Sequence, residues 1–507
     1  MGNLRIMLGK EEAKKRPSTI ETPKLSSEEI LKLIEGKKIG QIHYFLYGTD
    51  GVSLQAQETD SFLNKFGAKT FSLAADTTES EISSKSPELD YHSEKVTCLR
   101  DKILDQDVAD LSALIRDQQE EELLAEIHQG ADAIYQQMIT FIDENGLDIV
   151  HIRNLSALPF LHIQAAVAVH KVIKNRPKIR FILHHHDFFW EGPDATKYIT
   201  KYEKINKLVE EITAPDFENT RHICINTIAQ KELKERKGVV STFIPDGFDF
   251  DKEVEEMSQE DKEKLLEKYG IKENDLVLAL TTRTRSNKGY QTAIRIVKSI
   301  QDKRKQLENN KNGIGRSFKT FDSESQIILL VIQSADFDSE YYSKIKQYAK
   351  EMGVKLVFIG NDIVADAQYT NEDRLAGKHS FYSLTKSGIV DGVLYVPTHE
   401  GWGNQAIEAA WAKIIMMMFG YPVAVKDILS QINGIIQVGD SDDLEPWEET
   451  GLPVVKEGVV DKSTDKLIEV LLDHNLENKM TNEAYNAFRQ LCHIQKIGMQ
   501  YLELYLN

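Results

Sequence analysis

Short apolar segments followed by polar or small residues, each leading into a helical stretch, recur along two separate runs of this chain. That alternation is the pattern of a parallel sheet covered by helices on both faces. In the first run the strands are read at 39–47, 69–73, 148–152, 179–184, 222–226 and 242–244, with helices after Gly51 and over 157–174. In the second run strands are read at 276–281, 326–332, 355–359 and 392–396, with helices over 292–305, 341–351 and 404–413. Pro245-Asp246-Gly247 breaks regular structure between the runs and marks the crossing. The expected architecture is α/β, with two Rossmann-like βαβ domains facing across a cleft. Ligands in such sheets gather at the C-terminal strand ends.

The 507 residues exceed one small domain. We divide them into a charged arm over 1–38 that ends in a short helix, a first Rossmann-like domain over 39–245, a second over 246–480, and a helix over 481–507 packing back on the first. Two stretches interrupt the rhythm. Residues 76–105 are rich in Ser, Thr, Glu and Asp and read as a surface insertion, while 306–325 are polar and read as a long mobile loop open to proteolysis.

With 62 Lys plus Arg against 80 Asp plus Glu the formal charge is −18, which opposes broad association with nucleic acid or anionic lipid. The longest near-apolar run, 414–425, holds Gly420 and Pro422 and falls well short of the ~20 residues that cross a bilayer. The N-terminal residues lack the apolar stretch of a secretory leader, so a cytoplasmic site of action is expected. Cys98, Cys224 and Cys492 lie far apart, without the spacing of a disulfide framework or a zinc site.

The strongest chemical signal is His399-Glu400-Gly401-Trp402-Gly403-Asn404 leading to Glu408, after a strand and at the start of a helix. Glycines there let backbone N–H groups approach an anion at the positive end of the helix. Thr282-Arg283-Thr284-Arg285-Ser286-Asn287-Lys288-Gly289 follows the first strand of the second run and sets cations at the same edge. From the first run come Gly48-Thr49-Asp50-Gly51, a strand ending in His151-Ile152-Arg153-Asn154, and another ending in His184-His185-His186-Asp187. Three adjacent histidines alternate in direction along a strand, so no metal site is assigned to them.

Glu400 to Glu408 resembles the Glu-x7-Glu signature of the retaining GT-B glycosyltransferases of family four ("glycosyl transferases group 1"), typified by sucrose-phosphate synthases and bacterial mannosyl- and glucosyltransferases. Arg283 to Gly289 is similar to that family's Arg-x4-Lys-Gly element, and Pro245-Asp246-Gly247-Phe248-Asp249 to its Pro-Asn-Gly-x-Asp turn. Asp246 replaces the usual Asn, which reads as a minor departure. The matches run in family order from about residue 42 to about residue 428.

The resemblance implies a hexosyltransferase that moves sugar from a nucleoside diphosphate donor, GDP-mannose or UDP-glucose, to a hydroxyl of a sugar, sugar acid, glycan or protein, without a metal or other cofactor. It places Arg283 and Lys288 on the diphosphate, Glu400 on the sugar hydroxyls and Glu408 on the ribose. Gly401, Trp402, Gly403 and Asn404 line the donor site, with Gly401 to Asn404 offering backbone donors. His186 is implied as the sugar-contacting histidine with His185 as second choice, and Gly48, Gly51, Asn154 and Asp187 complete the opposite lip. The pairs Asp249/Asp251 and Asp336/Asp338 are read as decoys, not metal ligands. Rival readings are a silent GT-B binding or scaffold protein and a GT-B phosphorylase or epimerase; a nicotinamide dehydrogenase lacks its glycine fingerprint after the first strand.

Overall fold

Each run of alternating segments forms its own parallel sheet in the computed structural model. The structure describes residues 27–506 except 47, 49, 77–82, 111–112, 193–194, 196–197, 254–255, 309, 333–338, 361, 365–372 and 374–376. The first sheet comprises β1 (Lys38–Ile42), β2 (Lys69–Ala74), β3 (Ser83–Lys85), β4 (Ile149–Arg153), β5 (Arg180–His185), β6 (Thr220–Cys224) and β7 (Ser241–Phe243), in the order β3-β2-β1-β4-β5-β6-β7. The second comprises β8 (Leu276–Leu280), β9 (Ile327–Val331), β10 (Lys355–Phe358), β11 (Gly392–Tyr395), β12 (Ile415–Gly420) and β13 (Ile436–Asp440), in the order β10-β9-β8-β11-β12-β13.

The central strands of the second sheet carry almost no polar side chain because helices cover both faces, whereas those of the first bury Gln41, His151, Arg153, His184 and His185. Every residue of β8 and β9 is buried. Strand order reverses between β1 and β4 in the first sheet and between β8 and β11 in the second. At such a reversal the following helices leave to opposite faces and open a crevice. The loops after these four strands are the ones that carry the glycine, Asn154, Arg/Lys and Glu400 motifs.

Three expectations need correction. The acidic stretch after β2 is not only a surface insertion: Ser83–Lys85 joins the sheet edge, and the helix Glu94–Leu104 buries Val96, Leu99 and Ile103. Nor is 306–325 an unanchored loop. Leu307, Ile314 and Phe321 are buried, and the Lys319 ammonium donates to the carbonyls of Asp275 and Ile389 and to the Asp391 carboxylate at 2.8 Å. A composition dominated by Gly, Asn and Lys hid these few anchors.

The C-terminal segment is two helices instead of one. In His474–Cys492, Phe488 and Cys492 pack into the second domain, whereas in Ile494–Leu506, Ile494, Ile497, Tyr501, Leu502 and Tyr505 pack on Ile39, Ile149, Ile182 and Ile223 of the first sheet. The chain therefore recrosses between the domains at His493. Burial of side chains such as Ile497 and Leu502, each worth roughly 1.5–3 kcal/mol, holds the last helix on the first domain. The arm's helix, Ser27–Ile34, contributes Ile34 to the same cluster. Among the described residues no helix is long and apolar enough to cross a membrane.

The Lys319–Asp391 pair tests the correction at 306–325. Both side chains are nearly inaccessible, at 6% and 0% exposure. Removing one partner strands the other charge, so Lys319→Ala should lower the unfolding free energy by about 3–5 kcal/mol in chemical denaturation. It should also make 306–325 a fast site of limited proteolysis, which the wild-type chain resists.

Candidate active site

The second-domain lip begins where β11 ends. Gly403 has φ +138° and caps the helix Asn404–Trp411, and a Cβ there would lie 2.7 Å from the Tyr421 hydroxyl, so glycine alone fits. No side chain caps this helix and no acid occupies its first turn. Its N-terminal N–H groups therefore remain available to an anion. The neighbouring loop, after β8, is locked to it: Thr398 N–H donates to the Asn287 carbonyl at 2.9 Å. Lys288 consequently forms an ion pair with Glu400, both mostly buried.

Arg283 lies exposed on the same loop, and Glu408, half-buried, follows one turn into the helix. The Tyr395 phenol is pushed well above its usual range by burial and then by Glu400, with Glu408 adding to the effect. Both acids of the Glu-x7-Glu motif thus act on one buried wall. Trp402 does not join them. Its ring is buried against Phe243 of β7, while its backbone stays in the loop that leads into the helix at Asn404.

On the first-domain lip, Asn154 sits in the left-handed region at φ 59° and its amide oxygen accepts from the backbone N–H of His186 at 2.7 Å and of Asp187 at 3.3 Å. Asn154 thereby shapes the end of β5. The three histidines alternate as strand geometry requires. His185 turns to the far face, where its Nε2 meets His222 Nδ1 at 3.0 Å and its ring packs on Phe188. It does not reach the cleft.

His184 and His186 share the other face, with ring centroids 4.2 Å apart. Arg153, fully buried, brings Nη1 to 2.9 Å from His184 Nδ1 and 3.4 Å from His186 Nε2, while Nη2 donates to Thr59 Oγ1. Burial, reinforced by neighbouring charge, holds both imidazoles well below their usual range, so both are neutral. A guanidinium only donates, so His186 Nε2 presents its lone pair inward and Nδ1 carries the proton, facing Asp246 at 3.6 Å. The ring expected to touch sugar is therefore directed into the domain. His184, His186 and Asp246 also have the spacing of a cation site, but the Arg153 guanidinium occupies the lone pairs a cation would need.

The lips meet. A Cβ on Gly401 would stand 2.8 Å from the His186 carbonyl and 3.1 Å from Asp187 Oδ1, and the Gly401 carbonyl accepts from Asn226 Nδ2 at 2.9 Å. Gly51 lies opposite Asn404 Nδ2, at 3.1 Å from its notional Cβ. The Asp187 carboxyl is raised by burial, drawn back by His399 and Lys288 and pushed up by Glu400. Asp187, His399, Lys288 and Glu400 therefore share one electrostatic environment across the cleft. Gly48 lies beside Asp50, whose carboxylate accepts from Val52 and Ser53 N–H, both at 3.1 Å, and caps the helix Gly51–Lys65. That helix end is closed to a phosphate, unlike the one at Gly403.

Of the two Asp-x-Asp pairs, Asp251 binds Arg489 at 2.6 Å and His493 at 3.0 Å and anchors the C-terminal helices, while 336–338 lie outside the described residues. Sequence reasoning missed Arg153, Asp246, His399 and Asp50. Each lay inside a quoted motif, and two left a signal of their own: Arg153 as a cation closing a buried strand and Asp246 as the acid replacing Asn in the turn.

No family model matches the sequence. The chain is 29% identical over 459 residues to the mannosylglucosylglycerate synthase of Petrotoga mobilis, spanning 89% of this chain and 98% of that protein. It is 24% identical over 467 residues to the enzyme of the same name from Thermotoga maritima, spanning 91% and 97%. Its fold is similar to that of a sucrose-phosphate synthase from Thermosynechococcus elongatus, with a TM-score of 0.57 at 11% identity over 92% of this chain and 98% of that one.

The chain has the GT-B fold. The GT-B arrangement explains why the switch points of two separate sheets face each other across one crevice. At Gly401 the two lips are in close contact, as they are where Gly192 faces His399. Gly401→Ala should hold the lips apart, read as a larger radius of gyration in small-angle scattering, whereas Gly458→Ala, with nothing within 4 Å of its notional Cβ, should leave it unchanged.

Proposed function

We propose that the chain is a retaining, metal-independent hexosyltransferase that moves mannose from GDP-mannose to a hydroxyl of a sugar acid such as glucosylglycerate. UDP-glucose is the second donor to test. The names of both relatives supply the sugar-acid class, and their near full-length overlap supports carrying it to this chain. The observation that carries the reading is the Lys288–Glu400 pair beside the uncapped helix end at Gly403.

In this reading the diphosphate occupies the helix N-terminus and takes the ammonium of Lys288, with Arg283 as the second cation. Glu400, released from Lys288, accepts hydrogen bonds from the sugar hydroxyls, and Glu408 from the ribose. As the bond from the anomeric carbon to the diphosphate breaks, negative charge grows on the leaving oxygens, where fixed cations and N–H dipoles stabilise it most. The acceptor oxygen bonds to the anomeric carbon on the face the diphosphate leaves, and its proton passes to a diphosphate oxygen. Asp187, from the other lip, orients the acceptor or the transferred sugar. Contact of the two lips excludes water and limits donor hydrolysis. A cytoplasmic site of action suits the three free thiols.

Transfer assays with glucosylglycerate and each donor test this. Lys288→Ala and Glu400→Gln should each lower kcat/KM about 10²–10³-fold, the scale of losing one fixed transition-state donor. Glu408→Ala should weaken GDP more than its 2′-deoxy analogue. Wild-type turnover in the first two variants overturns the roles; nucleotide binding without transfer or hydrolysis points to the scaffold reading, and phosphate-dependent products to a phosphorylase.

A further inference from the structure

The second-domain turn that begins the crossing is unusual in its chemistry. Asp246 is 3% exposed, and one of its carboxylate oxygens has no hydrogen-bond partner. Around it stand His186 Nδ1 at 3.6 Å and His184 from the end of β5, Arg153 from β4, and the Asn404 amide from the donor-site helix. Asp187 acts on it from the same lip as His186, and it acts in turn on Cys492 and Tyr501 of the two C-terminal helices. Asp246 thus has neighbours on both lips and on both chain crossings.

The backbone around this carboxyl is the mechanical link between the domains. Gln55 clamps Gly247 with two hydrogen bonds, at 2.7 and 2.8 Å. Phe248 and the returning chain exchange two more, from Phe248 N–H to the Cys492 carbonyl and from Ile494 N–H to the Phe248 carbonyl. Asp246 is thus held at the junction of two crossings, with one neighbour on the first-domain wall and another at the first residue of the donor-site helix.

We propose that Asp246 is a positioning residue that couples the hinge to the donor site through His186 on one side and Asn404 on the other, and that its neutral form is the one that holds the lips in register. This inference rests on the transferase reading. A carboxylate in this place would draw on Arg153 and on the His186 proton and shift the β5 end that carries Asp187; a neutral carboxylic acid leaves those contacts as they stand. Burial raises the Asp246 carboxyl to about 7, with Asn404 and Arg153 pulling it down and Asp187 pushing it up, so the neutral form exists in the working range of an enzyme.

The sign follows from linkage. Between its unfolded value near 4 and about 7 the native state holds the proton that the unfolded state loses, so this group's contribution to stability falls as pH rises across that window. Above it the folded protein carries the anion. Wild-type kcat/KM should therefore fall about tenfold from pH 6 to pH 8, as expected for one required proton with a midpoint of 7. Asp246→Asn should hold its pH 6 value across the range, and its thermal midpoint should decline less than that of the wild type between pH 4 and 7, the rest of the decline coming from Glu58, Glu191 and Glu477, which burial also raises.

Small-angle scattering gives a readout independent of turnover. The wild-type protein should expand from pH 6 to pH 8 and Asp246→Asn should not, while Glu253→Gln, which removes an exposed charge from the segment that follows, should behave as the wild type. Identical scattering and pH profiles for wild type and Asp246→Asn overturn the inference. Absence of transfer in the wild type at every pH sinks the transferase reading instead, and scattering alone then decides the role of the hinge.

Discussion

Arg153 carries a charge that no accessible pH removes, and the first lip is arranged around it. Taking a guanidinium out of water costs several kcal/mol unless its donors are met. Here they are met by neutral acceptors: His184 Nδ1, His186 Nε2, Thr59 Oγ1 and Gln41 Oε1. The cation fixes the imidazoles as neutral acceptors, and the next residue, Asn154, fixes the backbone of His186 and Asp187. What the cleft receives from this wall is a carbonyl and one carboxyl, set by groups that never face the substrate.

The two lips divide the electrostatic work unequally. Both have a helix beginning at a switch-point loop, so both could hold an anion. Asp50 closes the first by spending its carboxylate on Val52 and Ser53 N–H groups, while Gly403 leaves the second open. Lys288 and Arg283 stand beside the open end. An anion is therefore favoured at the edge of one domain only. That asymmetry, more than the presence of two similar sheets, gives the crevice a direction.

The parallel sheets were legible because β8, β9 and β11 are apolar throughout and each leads into polar turn residues, a pattern with one structural solution. The second-domain motifs were legible for the same reason: Glu400 and Lys288 are local to strand ends, so spacing alone brought them to one edge. The first lip was harder to read. Whether His184, His185 or His186 faces the cleft depends on the register of β5 against β4 and on Arg153 behind it, a tertiary fact with no local signature. Trp402 shows the same limit, since the way its ring turns, here against Phe243, is set by packing between elements with no local signature. The stretch 306–325 misled by its composition, since one buried lysine outweighs a dozen polar residues when it satisfies three acceptors at once.

The inter-domain link also limits what motion the cleft can make. Two chain crossings joined by backbone hydrogen bonds between Phe248 and the 492–494 segment behave as one short ribbon, and Gln55 fastens that ribbon to the first domain. On the far side, Thr227 donates from its backbone and its hydroxyl to Asp427, at 2.7 and 2.5 Å. Opening must break the contacts away from the ribbon, Thr227 with Asp427, Asn226 with Gly401 and Phe243 with the Trp402 ring, while the ribbon bends. Those contacts are polar and apolar together, and Asn226, Asp427 and Trp402 are buried, so parting them exposes both kinds of surface. Asp246 stands at the ribbon, two residues before the Phe248 backbone that joins the two crossings.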